Sequence, residues 1–405
     1  MQNQKNTAAK GGAFSNEQGA TALCAVGAEK AVSNEIKKLG LAVVESGFGR
    51  VRFRAGIEGL YRSLMGLRAA DRVMLEIGRF RAEDFDALFK ETAAIQWERL
   101  VPARLGVKVS KVRSNRSKLR AETSIQAMAH KAMAQRLCKA HSLARLPETD
   151  SAAEVRVYVE KDTVSLLLDL SGEPLFKRGY RAKGGIAPLR ETTAAALLLL
   201  SGWKRKYPLY DPFCGSGTIL AEAQMYAWDM APGVGRDFAI SDLLIADRKI
   251  EERVRGEFRA KINGERLIRI AGSDEDAESA RLAAANLGRV RDIASGSRGI
   301  PDGAVPEARQ TPMSEARPPF EPDEGSDPAG FIVTNPPYGK RLGDRATAQR
   351  VYGEMAALAK NFPGWKLAVI CDHPGFESFF GKKADSCREI SNGPDTAYFF
   401  QYGRL

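Results

Sequence analysis

The sequence predicts an α/β protein in two parts, an N-terminal α+β region and a C-terminal region built on a parallel sheet. From residue 209 onward, apolar strands alternate with segments of helical periodicity, which is typical of βαβ units. Residues 20–170 instead combine short paired strands with separate helices. The chain has 405 residues, 44% hydrophobic and 27% charged, so we expect two or three domains with a large core.

The N-terminal region is expected to follow a disordered tail at residues 1–19. Alternating apolar residues predict its strands, and apolar residues at helical spacing predict its helices. The predicted strands are Leu41–Glu45, Arg50–Arg54, Gly106–Val112, Glu154–Tyr158 and Thr163–Asp169. The predicted helices are Ile57–Leu67, Asp84–Thr92 and Ser124–Leu143. The last two strands are expected to form a hairpin across Lys161 and Asp162.

The C-terminal region is expected to open with a long Ala/Leu helix over Pro188–Trp203. Short apolar strands then end at Tyr210, near Asp274 and at Thr334, and each precedes a turn. Residues 294–330 interrupt this pattern, because they are rich in Pro, Gly, Ser and Glu and lack periodicity. We predict a flexible surface insertion there.

Composition excludes several classes of protein. The longest apolar run, Ala194–Leu200, has seven residues, against the ~20 that a membrane-spanning helix needs. The first 20 residues contain no apolar segment of a secretory signal. Five cysteines without a CxxC pattern, and three scattered histidines, predict neither a disulfide scaffold nor a metal site. We therefore expect a cytoplasmic protein with no metal and no membrane partner, and the sequence predicts no oligomeric state.

The net charge of +11 is confined to the first half of the chain. Residues 101–145 hold eleven basic side chains and one acidic side chain, Glu122. Lys and Arg neutralise phosphates, so this run favours a nucleic-acid-binding surface, and a merely solvated face is the alternative. The candidate phosphate-binding residues are Lys108, Lys111, Arg113, Arg116, Lys118 and Arg120.

The first motif that carries chemistry is LYDPFCGSGTIL, over Leu209–Leu220. A short strand leads into a glycine-rich turn and then into a helix that begins near Thr218. Glycines let a ligand approach the backbone closely, and a helix N-terminus favours a negative group such as a carboxylate. The acid Asp211 at the strand end suits an ammonium group. An amino-acid moiety therefore fits this turn better than a pyrophosphate does.

The second motif is an acidic turn, GSDED, that follows the strand starting at Ile270. An acid at the end of the second strand of a dinucleotide-binding fold accepts hydrogen bonds from ribose hydroxyls. Asp274 is our candidate for that role. Asp276 is equally consistent with a helix N-cap.

The third motif is Asn335-Pro336-Pro337-Tyr338, which directly follows an apolar strand. The Asn335 side-chain oxygen and the Pro336 carbonyl are both acceptors for one planar amino group. Tyr338 offers a face on which a base can stack. The motif therefore indicates methylation of an exocyclic base amine by positioning and electrostatics, with no covalent intermediate.

The three motifs together resemble class I S-adenosylmethionine-dependent methyltransferases that modify amino groups. Further matches are FKRGYR at Phe176–Arg181, APLRET at residues 187–192, and APG at residues 231–233 followed by Arg236 and Phe238. With these, the chain is similar to RlmL-type 23S rRNA guanine-N2 methyltransferases. That family includes single-module THUMP proteins that are often labelled N6-adenine-specific DNA methylases.

The resemblance implies a Rossmann-like methyltransferase domain and an N-terminal RNA-binding region. Residues 20–69 would form a ferredoxin-like subdomain, residues 70–170 a THUMP domain, and residues 171–405 the catalytic domain with its insertion at 294–330. The basic run at residues 101–145 falls inside the THUMP segment. The family's acid near the cofactor adenine has no clear counterpart, because Arg309–Met313 stands at that place.

The resemblance also implies roles for individual residues. S-adenosylmethionine would be held by Asp211, Phe213, Gly215, Ser216, Gly217, Thr218, Glu222 and Asp274. The target guanine would be bound by Asn335, Pro336, Pro337 and Tyr338, and Arg341 would contact RNA phosphate. The expected partner is 23S rRNA or a large-subunit assembly intermediate. An N6-adenine DNA methyltransferase and a non-catalytic RNA-binding assembly factor are the alternatives.

Overall fold

The protein forms two seven-stranded sheets, each covered by helices. The computed structural model describes residues 17–148, 151–181, 189–296, 300, 305–321, 328–337, 345–392 and 395–405. The α/β class predicted from the sequence is therefore confirmed. No helix in these ranges is long and apolar enough to cross a lipid bilayer.

The first sheet contains the strands that precede residue 170. They are β1 (Gln18–Cys24), β2 (Ala42–Gly47), β3 (Arg50–Ala55), β4 (Ala70–Arg81), β5 (Gly106–Asn115), β6 (Ala152–Glu160) and β7 (Thr163–Asp169). The helices are α1 (Glu29–Lys38), α2 (Ile57–Gly66), α3 (Phe85–Ala94) and α4 (Glu122–His141). The strand order is β2-β3-β1-β4-β7-β6-β5, and only β5 and β6 pair in parallel.

Strand β4 joins the two halves of this sheet. Its first residues pair with β1, and its last residues pair with β7. Strands β1 to β4, with helices α1 and α2, form the βαββαβ unit of a ferredoxin-like fold. The backbone hydrogen bonds of the sheet therefore run without a break from that unit into the strands that follow.

The second sheet contains the later strands. They are β8 (Leu209–Asp211), β9 (Ile270–Asp274), β10 (Glu307–Gln310), β11 (Phe331–Thr334), β12 (Lys366–Cys371), β13 (Ser386–Asn392) and β14 (Asp395–Tyr402). The helices are α5 (Glu191–Ser201), α6 (Thr218–Ala227), α7 (Arg248–Ala260), α8 (Ala277–Ser295), α9 (Arg345–Glu354), α10 (Ala356–Asn361) and α11 (Phe376–Phe380). The order is β10-β9-β8-β11-β12-β14-β13.

This second sheet is parallel from β10 to β12, and only β14 and β13 run antiparallel to their neighbours. The strand order reverses between β8 and β11. In open α/β sheets, ligands bind at such a reversal, outside the carboxyl ends of the strands. The topology therefore places a binding crevice at the ends of β8, β9 and β11.

The prediction of a flexible insertion over residues 294–330 is wrong for much of its described part. Helix α8 continues to Ser295, and β10 pairs with β9 as the edge strand of the sheet. Met313 and Ala316, beyond β10, are 7% and 1% exposed and belong to the core. Strand β10 has no buried residue, so it lacks the apolar alternation by which strands are recognised. Residues 297–299, 301–304 and 322–327 lie outside the described ranges.

Close backbone packing connects the two regions. The Gly233 nitrogen donates to the Met65 carbonyl at 2.9 Å, and a Cβ at Gly233 would lie 2.8 Å from the Leu64 carbonyl oxygen. Only glycine allows this approach to α2. The Arg236 guanidinium donates to the carbonyls of Glu173 and Pro174, both at 2.7 Å. The APG segment therefore packs against α2 of the ferredoxin-like unit, and Arg236 binds the segment that follows β7.

Candidate active site

The three sequence motifs meet at the carboxyl ends of neighbouring strands. The Thr334 hydroxyl, at the end of β11, donates to Asp211 Oδ1 at 2.6 Å, at the end of β8. The Gly215 nitrogen donates to Asp274 Oδ2 at 2.9 Å, which links the glycine turn to the end of β9. Segments that lie more than 100 residues apart in the chain therefore form one crevice at the strand-order reversal.

The glycine turn is shaped by a close contact with helix α8. Gly217 has a φ of +75°, and a Cβ there would lie 2.9 Å from Ala283 Cβ. The turn is fixed on its other side by Asn286, whose Nδ2 donates to the Ser216 carbonyl at 2.9 Å. Helix α6 starts at Thr218, so its first backbone N–H groups are presented next to this turn. This arrangement suits a carboxylate ligand.

Asp211 is a buried carboxylic acid at the base of the crevice, and it is 1% exposed. Its Oδ1 accepts from the Phe213 nitrogen at 3.1 Å. Burial raises the pKa of the Asp211 carboxyl to about 7, and the negative charge of Asp274 adds to that increase. A buried acid of this kind is stabilised in its ionised form by a bound cation. The arrangement therefore favours a ligand with a positive group near Asp211.

Asn335 has a buried acceptor without a donor. Its Oδ1 has less than 1 Å² of accessible surface and finds no hydrogen-bond partner in the described structure. Buried polar atoms are nearly always paired, so an unpaired one indicates a missing ligand or a functional role. Pro336 is buried and Pro337 is half-buried beside it. Tyr338 and Arg341 lie outside the described ranges.

The acidic turn after β9 contains two carboxylates with different local roles. Asp276 is the N-cap of α8 and accepts from the Ser279 nitrogen at 2.8 Å. Asp274 accepts from Gly215 and also from the Asp276 nitrogen at 3.1 Å. The N-cap interpretation of Asp276 is thus confirmed. Asp274 remains the carboxylate at the strand end, and its contact with ribose stays a prediction.

Strand β10 brings a fourth strand end to the same edge. Gln310 is paired with Asp274 in the parallel register, and the Thr311 nitrogen donates to the Asp274 carbonyl at 2.9 Å. The segment Arg309–Met313 is therefore adjacent to the acidic turn. It was assigned to a flexible insertion because its polar sequence carries no strand signal.

Glu222 lies on α6 and is fully buried, with a side chain that is 0% exposed. Its contact with the cofactor stays a prediction. Its Oε1 accepts from the Nε of Arg178 at 3.1 Å, and the Arg178 side chain is only 2% exposed. Arg178 also donates to the Leu175 carbonyl at 2.7 Å. Glu222 therefore anchors the FKRGYR segment to α6.

Arg181, at the end of that segment, is a site residue to which sequence reasoning gave no role. Its guanidinium donates to Glu191 Oε1 at 2.9 Å, to Thr218 Oγ1 at 2.9 Å and to Ser216 Oγ at 3.2 Å. It therefore reaches from the start of α5 to the glycine turn. The FKRGYR match includes this arginine, but the sequence does not indicate its contact with Ser216, which lies 35 residues further along the chain.

The basic run on and after β5 is partly neutralised by acids from neighbouring elements. Ion pairs join Lys108 to Glu154, Arg113 to Glu122, and Lys118 to Glu83. Lys111, Arg116 and Arg120 have no ion pair within the described part of the chain, and all three are exposed. The binding of RNA by all six residues stays a prediction.

The described residues contain no group of three or more His, Cys, Asp or Glu side chains arranged to hold a metal ion. The candidate site contains carboxylates, backbone amides, Arg181 and Asn335.

Two protein-family models match the chain. The model of the RMKL-like methyltransferase domain matches residues 178–294 and 318–397. The model of the RlmL ferredoxin-like domain matches residues 20–74. The first match contains all three motifs of the crevice, and the second covers β1 to the start of β4.

Individual proteins match along nearly the whole chain. "Putative RNA methyltransferase YpsC" of Bacillus subtilis is 31% identical over 93% of this chain and 94% of its own. The crystal structure of "SMU.472, a putative methyltransferase complexed with SAH" has a TM-score of 0.83 and 32% identity, covering 96% of this chain and 98% of its own. The structure of "a predicted N6-adenine-specific DNA methylase" from Listeria monocytogenes has a TM-score of 0.83 and 32% identity, covering 95% and 96%.

Proposed function

The chain belongs to the RlmL-like methyltransferase family, whose cofactor is S-adenosylmethionine, and from this premise we propose that it methylates the exocyclic N2 amine of a guanine in 23S rRNA. The observation that carries the proposal is the unpaired, buried Oδ1 of Asn335 at the crevice. An acceptor in that position suits an amino group of a base. The basic strand β5 and the RNA methyltransferase named among the relatives support RNA as the substrate.

The residues of the crevice fit the cofactor. The glycine turn is open at Gly215, where a Cβ would meet no atom within 4 Å, and the N-terminus of α6 suits the carboxylate of the methionine end. Asp211 suits the ammonium group, and Asp274 suits the ribose hydroxyls. When bound, S-adenosylmethionine supplies a methyl group on a positively charged sulfonium.

The chain's own contribution to the reaction is to orient the amine. A hydrogen bond from the guanine N2 amine to Asn335 Oδ1 draws its lone pair out of conjugation and leaves it free to attack. Pro336 and Pro337 have no N–H groups and restrict the backbone that carries this acceptor. We assign base stacking to Tyr338 and phosphate contact to Arg341 on the resemblance alone.

The cofactor affinity is expected to fall as the pH drops below about 7. Burial raises the pKa of Asp211, so the free protein holds a proton there at lower pH, and binding of an ammonium group must release it. The dissociation constant should rise about tenfold per pH unit below this pKa and level off above it. Calorimetric titration with S-adenosylmethionine across this pH range checks the prediction.

The matched control for this titration is Asp211→Asn, which has no proton to release. Its affinity should be lower than that of the wild-type protein at pH 8 and independent of pH. A flat profile for the wild-type protein would contradict the assignment of the ammonium group to Asp211.

Arg181→Lys is expected to raise the dissociation constant of S-adenosylmethionine about tenfold. Lysine keeps a charge beside Glu191 but lacks the planar fork whose separate nitrogens reach Glu191, Ser216 and Thr218, and each lost hydrogen bond contributes roughly 0.5–1.5 kcal/mol. Calorimetry measures the effect. Arg205→Lys is the control, because Arg205 pairs with Asp229 on the surface. Equal affinities for both variants would show that Arg181 does not organise the turn.

Nucleoside mass spectrometry tests the proposed function. The substrates are rRNA from a strain that lacks the enzyme and unmethylated genomic DNA, each incubated with the protein and S-adenosylmethionine. N2-methylguanosine in rRNA is the expected product. N6-methyladenine in DNA would replace this proposal with the DNA alternative. Cofactor binding without any product would favour the non-catalytic assembly factor.

A further inference from the structure

A cavity of about 520 Å³ lies where the first sheet meets the catalytic region. We call it the junction cavity, and its wall includes Phe48, Arg50, Lys111, Arg156, Tyr158 and Arg190. The volume is within the range of ligand-binding pockets. Arg156 and Tyr158 alternate along β6 with the buried Val155 and Val157, so the cavity lies on the opposite face of the sheet from that apolar core.

Two cations at this cavity oppose each other directly. Lys111 on β5 and Arg156 on β6 are cross-strand partners in the parallel register. Like charges in this arrangement destabilise a sheet. Partial burial, with the charges of Arg113 and Arg156, lowers the pKa of Lys111. Arg156 Nε is buried and has no hydrogen-bond partner in the described structure. Asp169 acts on Arg156 and Glu122 acts on Lys111 at longer range, but neither side chain of the pair forms an ion pair with a carboxylate within the described residues.

Neighbouring cations of the cavity are already neutralised. Arg50 pairs with Glu160 at 3.2 Å, and Arg190 pairs with Asp71 at 3.7 Å. Lys111 and Arg156 form no ion pair within the described ranges. The two cations without a direct ion pair in these ranges therefore lie together at one point of the wall, where a single phosphate group would contact both side chains.

The rim of the cavity carries an exposed aromatic ring. Phe48, in the turn between β2 and β3, is 90% exposed and has a φ of +50°. A bulky side chain is uncommon at a positive φ. A ring exposed to water also buries no apolar surface and so does not stabilise the fold. Aromatic rings beside cationic grooves are the surfaces on which unpaired bases stack.

We propose that the junction cavity binds one unpaired nucleotide of the RNA substrate, with its phosphate between Lys111 and Arg156 and its base on Phe48. The proposal rests on the proposed function, since it takes the substrate to be RNA. The cavity also adjoins the catalytic crevice through α5. Arg190 lines the cavity, and the next residue, Glu191, binds Arg181 at the glycine turn. The cavity is thus connected to the glycine turn through the first residues of α5 and Arg181.

Fluorescence anisotropy with a short, labelled single-stranded RNA tests this proposal at a fixed salt concentration. The double variant Lys111→Gln, Arg156→Gln and the single variant Phe48→Ala should each weaken binding about tenfold. The charge-matched control is Lys249→Gln with Arg259→Gln on α7, both of them exposed. The apolar control is Leu267→Ala, which removes a side chain that is 83% exposed. Both controls should change the affinity less than about twofold.

Several results would overturn the proposal. They are equal losses in the charge-matched control, unchanged binding by Phe48→Ala, and binding of the RNA duplex as tight as that of the single strand. Absence of wild-type binding to the single strand would also overturn it. Anisotropy measures RNA binding and does not depend on methylation. A negative result here is therefore distinguishable from a negative result in nucleoside mass spectrometry. Cofactor affinity of the cavity variants, measured by calorimetry, verifies that they fold.

Discussion

Asn335→Ala is expected to lower the methylation rate by a factor of about 100–1,000, the range seen when one preorganised hydrogen-bonding group is removed from an active site. The cofactor affinity should not change, because the residues to which we assign the cofactor lie on the turns after β8 and β9. Single-turnover rates on deproteinised rRNA, together with calorimetry of S-adenosylmethionine, separate the two effects.

The stability of this variant distinguishes a functional Asn335 from a structural one. Its Oδ1 has no donor in the described structure, so truncation removes no hydrogen bond at that atom. The free energy of unfolding should therefore stay within about 0.5 kcal/mol of the wild-type value or rise slightly. Asn286→Ala is the matched control, because the Asn286 amide holds the Ser216 carbonyl and is 1% exposed. Loss of stability with full activity in Asn335→Ala would contradict the assigned role.

The convergence of the three motifs could be predicted from the sequence because it follows from topology. Asp211, Asp274 and Thr334 each end a strand, and parallel neighbouring strands bring such ends to one edge. The glycine turn, the N-cap at Asp276 and the strand before Asn335 likewise depend on residues close in sequence. The family comparisons confirm the resemblance that these motifs indicated.

The features that could not be predicted from the sequence each depend on a partner that is distant in the chain. Arg178 and Glu222 are 44 residues apart, and neither residue type predicts full burial. The edge strand β10 is recognisable only from its pairing with β9. Arg181 contacts Ser216 of the glycine turn, which lies 35 residues further along the chain. Sequence patterns report periodicity and local caps, and they do not report which charged groups meet inside the fold.

The basic run on and after β5 shows that the sequence also does not reveal which surface charges are neutralised in the fold. Eleven basic residues suggested one broad phosphate-binding face, but Glu83, Glu122 and Glu154 neutralise three of the candidate cations. The cross-strand pair of Lys111 and Arg156 arises from the β5–β6 register, which no local pattern encodes. The charge count therefore identified the basic region, whereas the strand pairing shows where two cations without a direct ion pair lie side by side.

Glu222→Ala is expected to lower the free energy of unfolding by about 3–5 kcal/mol, because it leaves the buried Arg178 guanidinium without its counter-charge. The FKRGYR segment should then loosen from α6 and displace Arg181, so cofactor affinity should fall as well. Denaturant unfolding and calorimetry on the same preparation measure both effects.

Two further variants test whether the unpaired buried charge of Arg178 causes the loss of stability in Glu222→Ala. Lys177→Ala breaks the neighbouring surface pair with Glu173, whose side chains are 58% and 67% exposed, and it should cost less than about 1 kcal/mol. The double variant Arg178→Met, Glu222→Leu removes both charges of the pair and should be less destabilised than Glu222→Ala alone, since it leaves no guanidinium at position 178 without its carboxylate. If the double variant were the less stable of the two, the energetic role of Glu222 would lie in packing against α6 and not in compensating Arg178.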